Sequence, residues 1–331
     1  MTRKYKHNYK ESNDYEKRNE FFHKLAPTTF LIVYCENECI MTHIVKEKRG
    51  FIMRKQGYYL LVWTILIAFF VSLWSEKLVK QGQTQRLSED VLSSAEFREQ
   101  NIDEKMLDFL SDTSKPGKYV GTYLLESKFG YQEFADPLSE AMFSKMIKRW
   151  EKQKSWNTYL HAMEAIWDDV KYFPIAESTN DPKLTVSYAN SWMGERNYGG
   201  KRGHEGCDLM ANKNERGLYP VLSMTDGVVD KKGWLEKGGY RIGIKAPRGA
   251  YFYYAHLDSY ADIEIGDEVK AGDILGFMGD SGYGPEGTVG QFAVHLHLGI
   301  YIYPDDVETS VNPYWVLRYI EKSKVKCYTE E

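Results

Sequence analysis

Cysteine is almost missing from this 331-residue chain: there are 4, and Cys35 and Cys39 are separated from Cys207 and Cys327 by a long apolar run. So few thiols rule out a dense disulfide framework, although sequence alone leaves open whether Cys207 and Cys327 pair. Histidine is scarce too, at 8. No internal repeat is evident. Hydrophobic residues at 43% and charged residues at 27% exclude disordered and collagen-like chains. Aromatics are plentiful at 15%, with 25 Tyr and 8 Trp; such side chains suit strands and also faces that meet sugars or peptides.

The charge is unevenly spread. Residues 1–57 hold 12 Lys and Arg against 7 Asp and Glu, a net of +5, and residues 58–74 hold no charge. With −4 for the whole chain, residues 75–331 carry −9. A basic front, an uncharged spacer and an acidic remainder fit a membrane protein and not a nucleic-acid binder. The spacer, YYLLVWTILIAFFVSLW from Tyr58 to Trp74, has only Thr64 and Ser72 as polar residues. Its 17 residues are near the short limit for a spanning helix, and Tyr58, Tyr59 and Trp74 stand where interfacial aromatics belong. Arg54 and Lys55 put its leading end in the cytoplasm and residues 75–331 outside. No small-x-small cleavage site follows it, so an uncleaved anchor is expected rather than a removed signal peptide.

Residues 1–52 have no sustained hydrophobic period. A start at Met53 would open on MRKQGYYLLVW, a basic segment meeting the span directly, so we expect native translation to begin there, or else at Met41. The expected organisation is then a basic tail over 1–57 (1–52 of it open to doubt as native sequence), a transmembrane helix over 58–74, a helical module over 75–175 and a β-rich domain over 183–320. In the module, Leu138, Met142, Phe143, Met146, Ile147 and Trp150 recur at steps of three and four, as do Trp156, Tyr159, Leu160, Met163, Ile166, Trp167 and Val170. Pro137 is expected in a first helical turn and Ser155 at an N-cap. Glu126 in YLLESKFGY resembles the general acid of lytic transglycosylases over four residues, but the rest of that pattern is absent. An exposed helix glutamate before a core Phe129 accounts for it. After Pro174 short β-type runs alternate with Gly, Asp, Asn and Pro, the pattern of an all-β domain of hairpins.

Four of the histidines lie after residue 200: His204 in RGHEGCD, His256 in YYAHLDS, and His295 and His297 in VHLHLG. His295 and His297, two apart, face one way off a strand. His204 and Asp208 share a face if extended, or bracket a turn at Gly206. Two imidazoles from one strand with a histidine and an aspartate from another suit Zn²⁺, which takes N and O ligands; the alternative is four unrelated strand histidines.

GHEGCD, YYAHLDS and HLHLGIY resemble the three signature blocks of M23-type (lysostaphin/LytM-like) zinc peptidases of bacterial cell walls, and the stretch IEIGDEVKAGDILGFMGDSGYGPEG resembles that family's hairpin. The likeness covers about residues 183–315. It implies a mainly β catalytic domain of antiparallel hairpins, preceded here by the anchor and the small α-helical module. It implies a zinc endopeptidase acting on peptide bonds in peptidoglycan stems or cross-bridges, with His204, Asp208 and His297 as metal ligands. By the same likeness His295 acts on the water activated by the metal, and His256 steadies the tetrahedral transition state. Cys207, where the family commonly has an aliphatic residue, should point away from the metal as a packed small hydrophobe. A non-catalytic scaffold that binds or activates another hydrolase is the alternative. A lipoyl- or biotinyl-type carrier would have no need of the histidines, and a D-Ala-D-Ala carboxypeptidase would carry a longer H-to-D spacing.

Overall fold

A computed structural model describes residues 39–111, 113–130 and 137–328, without the side chains of 39–53 and 84; the expectations for residues 1–38, including Cys35, lie outside them. The apolar run falls in one long helix, α1 (Cys39–Arg86). Within it Arg54–Gln83 is long and apolar enough to cross a bilayer. From Tyr58 to Trp74 every side chain is exposed except half-buried Val62. A contiguous apolar surface of that kind is compatible with a membrane anchor.

The remainder, from Ser75, forms a unit with one hydrophobic core. Short helices come first: α2 (Ala95–Arg98), α3 (Glu104–Leu110), α4 (Pro116–Glu126), α5 (Glu140–Trp150) and α6 (Trp156–Trp167). Polar caps begin several of them. The side chains of Ser94, Asp103 and Ser139 accept from the backbone N–H of Phe97, Met106 and Met142, satisfying donors that the helix leaves unpaired. One sequence expectation shifts here and one holds in position only. Pro137 precedes α5 without entering its first turn, and Ser155 occupies the N-cap position of α6 with no side-chain cap bond. The periodic residues do face inward, with Phe143, Trp150, Tyr159, Met163 and Trp167 buried. Two glycines let α4 and α6 touch: a Cβ at Gly117 would lie 2.6 Å from the Met163 carbonyl oxygen, and one at Gly121 2.9 Å from Met163 Cγ. Glu126 is half-buried rather than exposed, and its Oε1 accepts from Arg149 (2.7 Å) and the Trp150 indole (2.8 Å). That is a helix-to-helix tie.

The β region comprises β1 (Glu177–Ser178), β2 (Val186–Ser187), β3 (Glu195–Arg196), β4 (Arg202–Gly203), β5 (Cys207–Ala211), β6 (Pro220–Leu222), β7 (Gly227–Leu235), β8 (Gly239–Lys245), β9 (Tyr251–Tyr260), β10 (Glu268–Val269), β11 (Ile274–Met278), β12 (His295–Ile302), β13 (Thr309–Val311) and β14 (Lys326–Cys327). The main sheet runs β10-β7-β8-β9-β12-β5-β2, antiparallel throughout, with β11 joining β9 to β6 and β13 added to β12. β3 and β4 form a separate hairpin, and β1 pairs in parallel with β14. A last helix, α7 (Tyr314–Ile320), precedes β14.

The helices are tied to this sheet. Arg98 donates from Nε to the Ser310 carbonyl (2.9 Å) and from Nη2 to Ser310 Oγ (2.6 Å), and Asp169, 5% exposed, accepts from the Arg248 N–H (2.8 Å) and Nη1 (2.5 Å). The fold is the mainly β antiparallel domain preceded by helices that the sequence leads one to expect.

Candidate metal centre and cleft

β12 lies between β5 and β9, with His297 paired to Asp208 on one side and Ala255 on the other. Alternation sends Leu296 and Leu298 fully into the core and leaves His295 and His297 together on the opposite face. On β5 the same alternation buries Cys207 completely and turns Asp208 toward the histidines. Cys207 and Cys327 both carry free thiols. Burial raises the Cys207 thiol to about 12, which keeps it protonated and inert.

His204 follows β4 in the bend at Gly206, so the turn, not an extended strand, brings it back to Asp208. Only glycine fits that bend, because a Cβ at Gly206 would lie 2.5 Å from His297 Cε1. The result is a triangle. His204 Nε2, Asp208 Oδ1 and His297 Nδ1 are each 3.0 Å from the other two. Among the described residues this is the group of His, Cys, Asp or Glu side chains close enough to hold a metal ion.

The polar groups behind the triangle orient it. His204 Nδ1 lies 3.0 Å from Ser191 Oγ and 3.2 Å from the Ser191 carbonyl. A carbonyl only accepts, so Nδ1 carries the proton and Nε2 is left bare toward Asp208. Arg196 of the β3–β4 hairpin donates to the outer oxygen of Asp208, leaving Oδ1 for the triangle. Burial alone would raise the Asp208 carboxyl, but the histidines around it, His204 and His297 foremost and then His295, outweigh that and hold the group ionised, well below the usual carboxylate range. Burial lowers His297, which stays neutral.

His295 and His256 complete the cluster. His295 Nδ1 donates to the Ala293 carbonyl (2.7 Å), and its Nε2 lies 3.8 Å from Asp208 Oδ1. His256 Nδ1 donates to the Ser281 carbonyl (2.8 Å), and its ring centre is 4.7 Å from that of His295. Burial, then the neighbouring His295 and His297, push His256 well below its ordinary value, so it is neutral.

These residues line a cavity of about 660 Å³. Tyr283 walls it, with its ring stacked on Tyr198 at 4.2 Å and 1°, and Phe292 packs between His256 (4.6 Å) and His295 (5.0 Å). All five residues singled out in the sequence converge here. Arg196, Tyr198 and Ser191 belong to no motif block, and only the folding of distant loops brings them to the site, whereas Phe292 arrives with His295, three residues on.

The comparisons agree with this geometry. Residues 82–169 match the profile of the LytM N-terminal domain, and residues 202–313 match that of peptidase family M23. The first match extends the likeness to the helical module, which the motif blocks do not reach. A crystal structure from Ruminococcus gnavus, solved as a candidate glycyl-glycine endopeptidase LytM, is 56% identical, covers 75% of this chain and 99% of its own, and superposes with a TM-score of 0.71. The L-Ala–D-Glu endopeptidase of Bacillus subtilis is 45% identical over 141 residues, 42% of each chain. Lysostaphin of Staphylococcus simulans is 34% identical over 96 residues, 28% of this chain and 17% of its own. The chain spans less than half the length of these two curated relatives. With a solved relative aligned over nearly all its length and both segments matched, this chain belongs to peptidase family M23, the LytM-like peptidoglycan endopeptidases.

Proposed function

We propose that this chain is a membrane-anchored zinc endopeptidase that hydrolyses a peptide bond in peptidoglycan stems or cross-bridges. The carrying observation is the 3.0 Å triangle of His204 Nε2, Asp208 Oδ1 and His297 Nδ1. Zinc bound at about 2.0–2.1 Å by tetrahedral ligands spaces them about 3.3 Å apart, close to that triangle, and two imidazoles with a carboxylate are an ordinary zinc set that leaves one position open. When bound there, zinc supplies Lewis acidity that makes a water nucleophilic near neutral pH and polarises a carbonyl.

The chain's own residues supply the proton handling. His295, with Nδ1–H held by the Ala293 carbonyl, presents a bare Nε2 that takes the proton of the attacking water and returns it to the leaving amine. His256 is held the same way by Ser281, so its Nε2 also faces the cleft as an acceptor. To donate to a developing oxyanion it must first take up a proton there. Tyr283 and Phe292 form a wall that narrows access for water.

The apolar helix over 58–74 serves as the anchor, with residues 1–57 cytoplasmic, the helical module over 75–175 and the peptidase domain over 183–320 outside. The relative named for the L-Ala–D-Glu bond makes that bond the first to test. Zinc-loaded full-length protein should release defined fragments from purified peptidoglycan, identified by mass spectrometry. Intact peptidoglycan after prolonged incubation, with zinc bound, would leave the scaffold reading in its place.

A further inference from the structure

The cleft continues past the metal triangle onto a second patch of the same sheet face. Gly243 on β8, Tyr253 on β9 and Gly299 on β12 are register partners in one row with Lys231 on β7. Alternation adds Arg241 on β8, Tyr251 on β9 and Tyr301 on β12 to that face. The glycines matter: a Cβ at Gly243 would lie 1.8 Å from Tyr251 Oη, and one at Gly299 2.7 Å from Tyr301 Cε2. Tyr251 and Tyr301 therefore pack over bare backbone at Gly243 and Gly299, and with Tyr253 they form a cluster with ring centres 6.1 to 6.4 Å apart. Tyr253 is the link to the metal triangle, 6.0 Å from the His297 ring.

The polar atoms of this patch are unspent. Among the described residues, the hydroxyls of Tyr251, Tyr253 and Tyr301 have no hydrogen-bond partner. Arg241 Nη1 and Arg202 Nε are both buried without a partner, and neither guanidinium belongs to an ion pair. Lys231, by contrast, faces Glu308 at 3.9 Å, and Arg196 is held by Asp208. Both orphan arginines line the metal-site cavity, and their charges oppose the effect of burial on the Tyr253 phenol. A buried cation with free N–H groups is costly unless an anion answers it. A planar guanidinium matches a carboxylate in two-point hydrogen bonding.

We propose that Arg241 and Arg202, with the hydroxyls of Tyr253 and Tyr251, bind a free carboxylate of the peptide substrate, carried on a residue beside the bond that is cut. This rests on the peptidase reading above and deepens it, since it names a specificity determinant. The placement suits it: Arg241, Arg202, Tyr251 and Tyr253 line the same cavity as the metal triangle, and the Tyr253 ring packs 6.0 Å from that of His297. A glutamate joined through one of its carboxyls still offers the other.

The test uses zinc-loaded full-length protein and two peptides spanning an Ala–Glu bond, one with the second Glu carboxyl free and one with it converted to the carboxamide. The wild type should cut the free acid about 10- to 100-fold more efficiently in kcat/KM, the range of a charge-assisted hydrogen bond. Arg241→Gln should erase that preference, slowing cleavage of the acid far more than that of the carboxamide, and leave zinc content unchanged. Arg241→Lys should restore part of it, and Arg202→Gln should act in the same direction. Equal cutting of both peptides by wild type would overturn the carboxylate site while leaving the peptidase reading intact. So would a variant that loses both substrates alike, which marks a structural role. Failure of the wild type to cut either peptide or whole peptidoglycan would overturn the peptidase reading and this proposal with it.

Discussion

His256 faces His295 across 4.7 Å, although strict alternation along β9 would send it into the core between Tyr254 and Leu257, both fully buried. A positive φ of 63° at His256 and a register shift against β8, between the Tyr254 and Leu257 pairings, turn the ring onto the cleft face. Such a conformation costs a non-glycine residue of order 1 kcal/mol or more and persists where the surroundings over-determine it. Here the Ser281 carbonyl holds Nδ1.

The two pairs of histidines should separate by function. His204→Ala should release zinc. His295→Ala should retain zinc and lower peptide cleavage by about 10²- to 10⁴-fold. Metal analysis and turnover on the same preparations check this; equal zinc loss in both variants would show that the division of roles is wrong.

Gly206→Ala should damage the metal site from outside the ligand set. The added Cβ would meet His297 Cε1 at 2.5 Å and the Leu298 carbonyl oxygen at 2.6 Å, so the ring and a strand both have to give. We expect destabilisation of about 1–3 kcal/mol and weakened zinc retention, read by denaturant melts and metal content. Full zinc occupancy at wild-type affinity would contradict the steric account.

Asp169 should prove structural. It is 5% exposed and accepts two hydrogen bonds from Arg248, joining the end of the helical module to the β8–β9 turn. Asp169→Ala removes both bonds, and because the Arg248 side chain is 44% exposed and can turn to water the change should cost about 0.5–1.5 kcal/mol with zinc content unchanged. Wild-type stability in a denaturant melt would remove this junction from the account.

Stability should fall in acid partly through Asp226. The Ala271 N–H first, at 2.9 Å, then Lys171, at 2.5 Å, hold its carboxyl below the ordinary range. A depressed folded pKa stabilises above the unfolded value of about 3.9 and loses that contribution as pH falls through the folded value. Wild type should therefore melt higher than Asp226→Asn at pH 7, and the gap should narrow as pH falls below about 4. A gap constant with pH would show that Asp226 does not titrate differently on folding.

Much of the site was legible because it is local. His295 and His297 share a face through strand alternation alone, and His204-x-x-x-Asp208 is one short bend. Glu126 illustrates the reverse. Its four-residue motif carries no chemistry in the fold, since Arg149 and Trp150 occupy its carboxylate. Helix periodicity places Phe143, Trp150 and Tyr159 in the core and Ser155 at the N-cap position of α6, whereas Pro137 falls short of α5 because Ser139 caps that helix two residues later.

The sequence by itself determined the residue types, their spacing and hence the class of chemistry. Alternation on a strand and periodicity on a helix are properties of the backbone. Tertiary structure decided which distant groups complete the site: Ser191 behind His204, Arg196 on Asp208, Ser281 on His256, and the orphan Arg241 beside the tyrosine floor. Those contacts join residues 12 to 44 positions apart, and they form only when strand register and loop closure bring separate segments to one face of the sheet.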